Sequence, residues 1–364
     1  MTGHFQPMTL RLLACILAAP LACAAAAPRI TLGLVAPPSE PDAASLVRGV
    51  QLAVEESGET PGAPVVLAVR GESGQWGTVG NDAVTLASDR GVDAMIAPPD
   101  GASSHLVLQV SGRMQVPVAS LCPDASVTEA GVPWAVRVVP RTDRQAEALF
   151  AARRPATPAA WWALVPPDRP GRAARRDLEK AARSAGAPMD RILELGSDPA
   201  SIARQAASAS PGGVLVWLAP SQAGTAVAAL RAAGYRGSLA GPCSIDAPEF
   251  AAAAGAAADG VLVAEYEGDP GSRARAGRFE ERFMGRFGVR PDYSAAAAHD
   301  AAQVLIENLR LPGDNPAYRR FPPALPILGV TGEIRFDASG SRTGTLQVMI
   351  CQRGRFVPTT PSPP

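Results

Sequence analysis

Apolar residues along the chain fall into short runs, separated by loops and by segments of helical period. Residues 30–36 (ITLGLVA), 64–70, 92–97 and 117–121 are runs of strand length, too short for independent helices. Between the first two, Leu46, Val50, Ala53 and Val54 recur at i, i+4, i+7 and i+8, which is one face of a helix. Leu106, Val107 and Val110 make another such face. The run 92–97 stops at Pro98-Pro99-Asp100-Gly101, and the run 117–121 stops at Cys122-Pro123-Asp124. Neither sequence can continue a strand. Ser103 or Ser104 is the expected cap of the intervening helix, and Gly112 its expected end. Strand, loop, helix, strand makes a βαβ unit with a parallel sheet. Ligands of such sheets sit at the carboxyl ends of the strands. Loops 98–104 and 122–126 both leave at that edge.

A third apolar run, 134–139, completes this half, and the pattern restarts after Pro140. Residues 160–165 (AWWALV), 193–195, 214–218, 238–241 and 260–266 read as strands. Helical segments through Ala146 and Phe150, through Leu178 and Ala181, and over 222–233 lie between them, with Gly234 closing the last. The alternation predicts an α/β chain in two doubly wound, Rossmann-like lobes rather than one oversized sheet. From residue 272 the helices lengthen. Phe279, Phe283 and Phe287 recur at i+4, and a second helix runs from about 293 to 309. Proline-rich sequence over 312–326 precedes three short β signals at 333–336, 346–351 and 355–357.

The chain has 364 residues, 47% of them hydrophobic, enough for two packed domains. Arginine and lysine total 34, matched by 34 aspartates and glutamates. That balance gives no electrostatic case for a nucleic acid or a membrane surface. Arg11, the apolar stretch 12–19 and the small residues 22–27 read as a secretion signal over 1–27. The stretch is too short to span a membrane, and the residues before Cys23 fit a lipoprotein signal poorly. A soluble, periplasmic protein is expected. Signal removal leaves Cys122, Cys243 and Cys351, which is no disulfide framework. It also leaves only His105 and His299. His299 reads as a helix residue near a lobe interface and His105 as a surface or supporting group. No metalloprotease, nucleophile-elbow, redox, P-loop or dinucleotide motif stands in a usable context. An enzyme is not expected, nor a metal or cofactor.

The order of these pieces carries a family likeness. A small polar loop with Gly101-Ala102-Ser103-Ser104 leads to a helix, then to Val116-Pro117-Val118, then to Thr128-Glu129 and Trp134 through Pro140. Gly49 to Glu56 (GVQLAVEE) and Gly329 to Asp337 (GVTGEIRFD) add to it. From about Arg29 to Pro358 the chain resembles the Leu/Ile/Val-binding, type I periplasmic receptors of ABC importers. The resemblance implies two lobes joined by a hinge of three crossings. Lobe 1 would take 28–141 and 267–326. Lobe 2 would take 142–266 and 327–364, tail included.

The resemblance also implies a ligand between the lobes. Positions aligning with Gly101 and with the 122–124 loop would hold the carboxylate and ammonium of an amino acid, next to a helix start that favours anions. Gly101, Ala102, Ser103, Cys122, Asp124, Trp217, Cys243 and, near the mouth, Asp42 are therefore the candidate ligand contacts. The chain departs from the family at several of them. Pro170-Gly171 stands where the family has an aromatic-Gly pair. Trp217 replaces a tyrosine or belongs to the core. Cys243 stands where an acidic residue pairs with the ligand ammonium. Leucine or valine specificity therefore does not carry over, and an amide or organic acid is equally open. The implied partners are a small polar solute and an inner-membrane ABC permease, with the receptor a monomer. A sensory receptor that signals without transport is the alternative. Cys122 and Cys243 are expected as free thiols on opposite cleft walls, accessible in the open form, and Cys351 as buried.

Overall fold

The computed structural model of the chain describes residues 29–37, 43–71, 78–152, 160–196, 198–312 and 316–359. The expected signal and Asp42 lie outside the described residues.

The first lobe is built on five parallel strands: β1 (Ile30–Val35), β2 (Val65–Arg70), β3 (Ala94–Ala97), β4 (Val118–Ser120) and β5 (Ala135–Arg137), in the order β2-β1-β3-β4-β5. Leu32, Leu34, Ile96 and Val136 are fully buried. Helices α1 (Ala43–Ser57), α2 (Thr78–Val84) and α3 (Gly101–Met114) connect the strands, and the single turn α4 (Ser126–Glu129) follows β4. Strand order reverses beside β1, the topological feature that opens a crevice above a doubly wound sheet.

The second lobe repeats the plan. Helix α5 (Thr142–Ala152) enters it. Strands β6 (Trp161–Val165), β7 (Met189–Glu194), β8 (Gly213–Val216), β9 (Ser238–Ala240) and β10 (Leu262–Tyr266) are parallel. Helices α6 (Arg169–Ala185), α7 (Pro199–Ala209), α8 (Pro220–Ala232) and α9 (Pro248–Ala254) cover the sheet. The chain then returns to the first lobe. After α10 (Ser272–Phe287), α11 (Tyr293–Arg310) packs along α1, where a Cβ at Gly49 would meet the Ala295 carbonyl oxygen at 2.2 Å. Only glycine permits so close a helix approach. A three-stranded piece follows: β11 (Ile327–Gly329), β12 (Gly332–Phe336) and β13 (Arg342–Thr343). Last, β14 (Leu346–Gln352) and β15 (Arg355–Pro358) extend the second sheet antiparallel beside β10. Among the described residues no helix is long and apolar enough to cross a membrane.

The three passages between lobes meet at one buried cation. The Arg342 guanidinium donates to the Thr331 hydroxyl (2.7 Å), to the Thr331 and Glu333 carbonyls (3.1 Å each) and to the Val138 carbonyl (3.4 Å). It lies 4.1 Å from the Tyr266 ring centroid, and the Tyr266 hydroxyl donates to the Arg342 carbonyl at 2.9 Å. Val138, Tyr266 and Thr331 come from three different stretches of the chain, which this contact ties together. Buried Asp300 accepts from the Val330 and Thr331 amides at 2.6 and 3.0 Å. Its neighbour His299 bonds Glu56 of α1 at 2.9 Å. Burial alone would depress the His299 pKa, but the Asp300 and Glu56 charges outweigh it and raise the imidazole to about 9.

Several local expectations are corrected. Helix α3 is capped by Asp100, whose carboxylate accepts the Ser103 amide at 2.7 Å; neither serine is the cap. Ser104 instead donates to the Pro98 carbonyl and meets Ser120 of β4. The helix runs through Gly112 and ends at Gln115 in the left-handed region. Pro170-Gly171, where the family has an aromatic-Gly pair, lies in the first turn of α6, because Asp168 caps there and accepts the Gly171 amide. A Cβ at Gly171 would meet the Pro166 carbonyl oxygen at 1.7 Å, so the glycine lets the helix start directly against the strand end. Helices α7 and α9 are additional to the sequence reading.

Candidate functional site

A cleft of about 1310 Å³ lies between the lobes. It is bordered by the loops and turns beyond the carboxyl ends of β3, β4, β6, β8 and β9, with the starts of α1 and α11 at its floor. Both sheets thus present their loop-bearing edges to one space.

On the first-lobe side, the strand-ending prolines turn the chain so that two loop tips converge. A Cβ at Gly101 would lie 3.4 Å from Asp124 Oδ2 and 3.7 Å from Cys122 Sγ. Asp124 is held in place at both ends. Its Oδ1 accepts the Ser126 amide at 2.9 Å, and its carbonyl accepts from the Arg137 guanidinium at 3.0 Å. Arg137 is fully buried behind the loop and also donates to Ser341 Oγ at 2.7 Å, tying the loop to the third passage. His105 Nε2 lies 2.8 Å from Ser126 Oγ, in a supporting contact on the same wall.

On the second-lobe side, Trp217 follows β8. It lines the cleft, yet is only 7% exposed and packs in the core with Leu178, Leu215 and Phe150. The two readings of this residue are therefore not exclusive. Cys243 begins a short helical turn after β9, and its amide donates to Gln145 Oε1 at 2.9 Å. It packs with Tyr293 and Ala297 of α11, at the floor. Helix α6 adds a row of charge along the mouth. Arg176 reaches 3.6 Å from Asp124 across the cleft and 3.6 Å from Asp177 beside it, while Lys180 pairs with Asp143 at 3.1 Å. Burial, reinforced by the Asp124 charge, lifts Asp177 to about 6.

Of the sequence-derived candidates, Gly101, Ala102, Cys122, Asp124, Trp217 and Cys243 border the cleft. Ser103 is not among its lining residues, and its amide is taken by Asp100. Cys122, Cys243 and Cys351 are free and buried. The expectation of readily accessible thiols at positions 122 and 243 is overturned: they are 1% and 4% exposed, and burial pushes both pKa values up. Asp100, Arg176, Asp177 and Tyr293 were not singled out from sequence. Asp292 before Tyr293, a good helix cap opening a long helix, was the one available signal. Among the described residues no cluster of three His, Cys, Asp or Glu side chains is placed to hold a metal ion.

A sequence model described as periplasmic binding protein matches residues 29–351. No curated protein matches the chain. Solved structures share the fold. The branched-chain amino acid transporter substrate-binding protein LivJ from Streptococcus pneumoniae, in complex with isoleucine, is 14% identical with a TM-score of 0.78, over 90% of this chain and 98% of that one. A solute-binding protein of an ABC transporter from R. palustris, in complex with benzoate, is 16% identical with a TM-score of 0.78, over 91% and 95%. The leucine-binding protein LivK from Thermotoga maritima is 19% identical with a TM-score of 0.75, over 91% and 98%. Two lobes, a cleft at the carboxyl edges of both sheets and a family match across nearly the whole described chain agree, and the chain belongs to the Leu/Ile/Val-binding, type I family of periplasmic binding proteins.

Proposed function

We propose that the protein is the extracytoplasmic solute receptor of an ABC importer. The lobes close by hinge motion over a small polar organic solute and present it to a membrane permease. The observation that carries this reading is the cleft itself: about 1310 Å³, bordered by strand-end loops of both lobes. It is large for a solute of amino-acid size, which suits a site that narrows on closing. The polar contacts offered are backbone and carboxylate groups around Gly101 and Asp124, with Trp217 and Tyr293 as the ring surfaces. An export signal over 1–27 fits this role.

A thermal-shift screen of amino acids, amides, amines and small organic acids tests the proposal. A true solute at a hundredfold excess over Kd stabilises by about 2.7 kcal/mol. A broad library in which no compound raises the melting temperature would argue against a solute receptor.

A further inference from the structure

The two walls of the cleft carry different charge. Among its described lining residues, the first-lobe wall holds Asp100, Asp124, Glu129 and Asp292 and no lysine or arginine. All four lining lysines and arginines, Arg169, Arg172, Arg176 and Lys180, belong to α6 on the second lobe, where Asp168, Asp177 and Glu249 also line the cleft, so that wall is of mixed charge while the first is acidic. Behind the first wall lies Arg137. It is buried and donates to the Asp124 carbonyl, away from the carboxylate.

A helix start is the natural seat for a solute anion. At α3 two carboxylates of the chain already sit at that seat. The Asp100 carboxylate takes the Ser103 amide, and Asp124 Oδ2 lies against Gly101 in the same first turn. A solute carboxylate placed there would be a third negative charge at one helix end, with like-charge repulsion and no free cation beside it. A cationic group placed there meets two carboxylates.

The competing partner is Arg176, which is 3.6 Å from Asp124. That distance is too long for a hydrogen bond. The Arg176 side chain is 64% exposed and is shared with Asp177. A long pair whose cation is largely solvated is weak, so an incoming cation can displace it. Arg169 and Arg172 have no side-chain partner among the described residues and face the same space from the other wall.

Resting on the receptor reading, we propose that the solute carries a cationic nitrogen, bound to the first-lobe wall at Asp124 and Asp100. Its polar or anionic end points toward the α6 arginines of the second lobe. This orientation reverses the one expected from an anion at the α3 start. The charges do not create the site; they decide which end of the solute each wall takes.

Matched probes test it by calorimetry on the mature protein: benzylamine against benzoate, n-butylamine against butyrate, and 4-aminobutyrate as a zwitterion. Binding is expected only from members with an amine. Asp124→Asn should weaken it roughly 30-fold or more, as for a desolvated charge pair, and Asp124→Glu should restore part of it. Asp100→Asn is a second variant that keeps the fold, because asparagine caps a helix as well as aspartate does. It should weaken the amine and let a carboxylate bind. Benzoate or butyrate binding to the wild type would overturn the orientation while leaving the receptor reading intact. Amine binding that ignores both substitutions would also overturn it. A probe set with no binder counts against a cation-selective cleft, and only failure of the wider solute library would remove the receptor.

Discussion

The two walls of the cleft are built differently. The first-lobe wall is fixed from behind. Ser104 meets Ser120 and the Pro98 carbonyl, Asp100 caps its own helix, and buried Arg137 holds the Asp124 loop. Its polar groups have partners before any solute arrives. The second-lobe wall has a rigid back, in which Trp217 is part of the core, and an adjustable face of exposed α6 side chains. The difference suggests a division of labour, in which the first wall defines the charged end of the solute and the second adapts as the lobes approach. Pre-organised groups cost little to use, whereas long exposed side chains must be ordered on binding.

The largest effect should come from the back of the adaptable wall. Trp217→Ala removes a side chain that is 7% exposed and should cost about 3–5 kcal/mol of stability, read by urea denaturation. A cost below about 1 kcal/mol would show that Trp217 belongs to the cleft and not to the core.

The next test lies in the first lobe, where α11 packs along α1. The His299 pKa is raised from 6.5 to about 9 by Asp300 and Glu56. A raised histidine contributes stability that is complete below the unfolded pKa and lost as pH rises through the folded one. The wild type should lose about 2–3 kcal/mol between pH 6.5 and 9.5 from this group. His299→Gln should be less stable at pH 6 and should show a flatter loss over that window. An identical slope in both proteins would mean that His299 is not charged in the fold.

Asp177 gives a smaller effect of opposite use. Its pKa is raised to about 6, so the folded state resists its ionisation. The penalty is absent below about pH 4 and complete above about pH 6. Asp177→Asn should therefore stabilise by about 1 kcal/mol at pH 7.5, allowing for screening at the cleft mouth, with the gain vanishing by pH 4. Constant gain at both pH values would assign it to packing. Smallest of all, Arg176→Ala should change stability by less than about 0.5 kcal/mol, since its contacts are long and its own side chain is largely exposed. A loss above about 1 kcal/mol would make the Asp124 pair a real latch between the walls.

Much of the fold was legible because it rests on period. The runs 30–36, 92–97 and 117–121 form strands since each is apolar and ends at proline or a polar loop. Helix α7 escaped because five of the eleven residues of PASIARQAASA are alanine, and Ile202 alone is too little to mark a face. The cap of α3 was misplaced by three or four residues. Pro-Pro-Asp-Gly reads as a turn, and only the path leaving β3 decides which residue has the extended backbone a cap needs. Cys122 and Cys243 were rightly placed at strand ends, but sequence does not show that the neighbouring chain covers their thiols. The charge difference between the walls was invisible for a simpler reason. It joins positions near 100 and 124 to a helix near 170–180, and neither stretch is unusual alone.

The central claim is that two lobes close over a solute in the cleft. Small-angle X-ray scattering of the mature protein, with and without a saturating solute from the thermal-shift screen, tests it most directly. The account predicts a smaller radius of gyration and a compacted distance distribution in the bound protein. An unchanged scattering curve, with calorimetry confirming full occupancy in the same sample, would contradict closure.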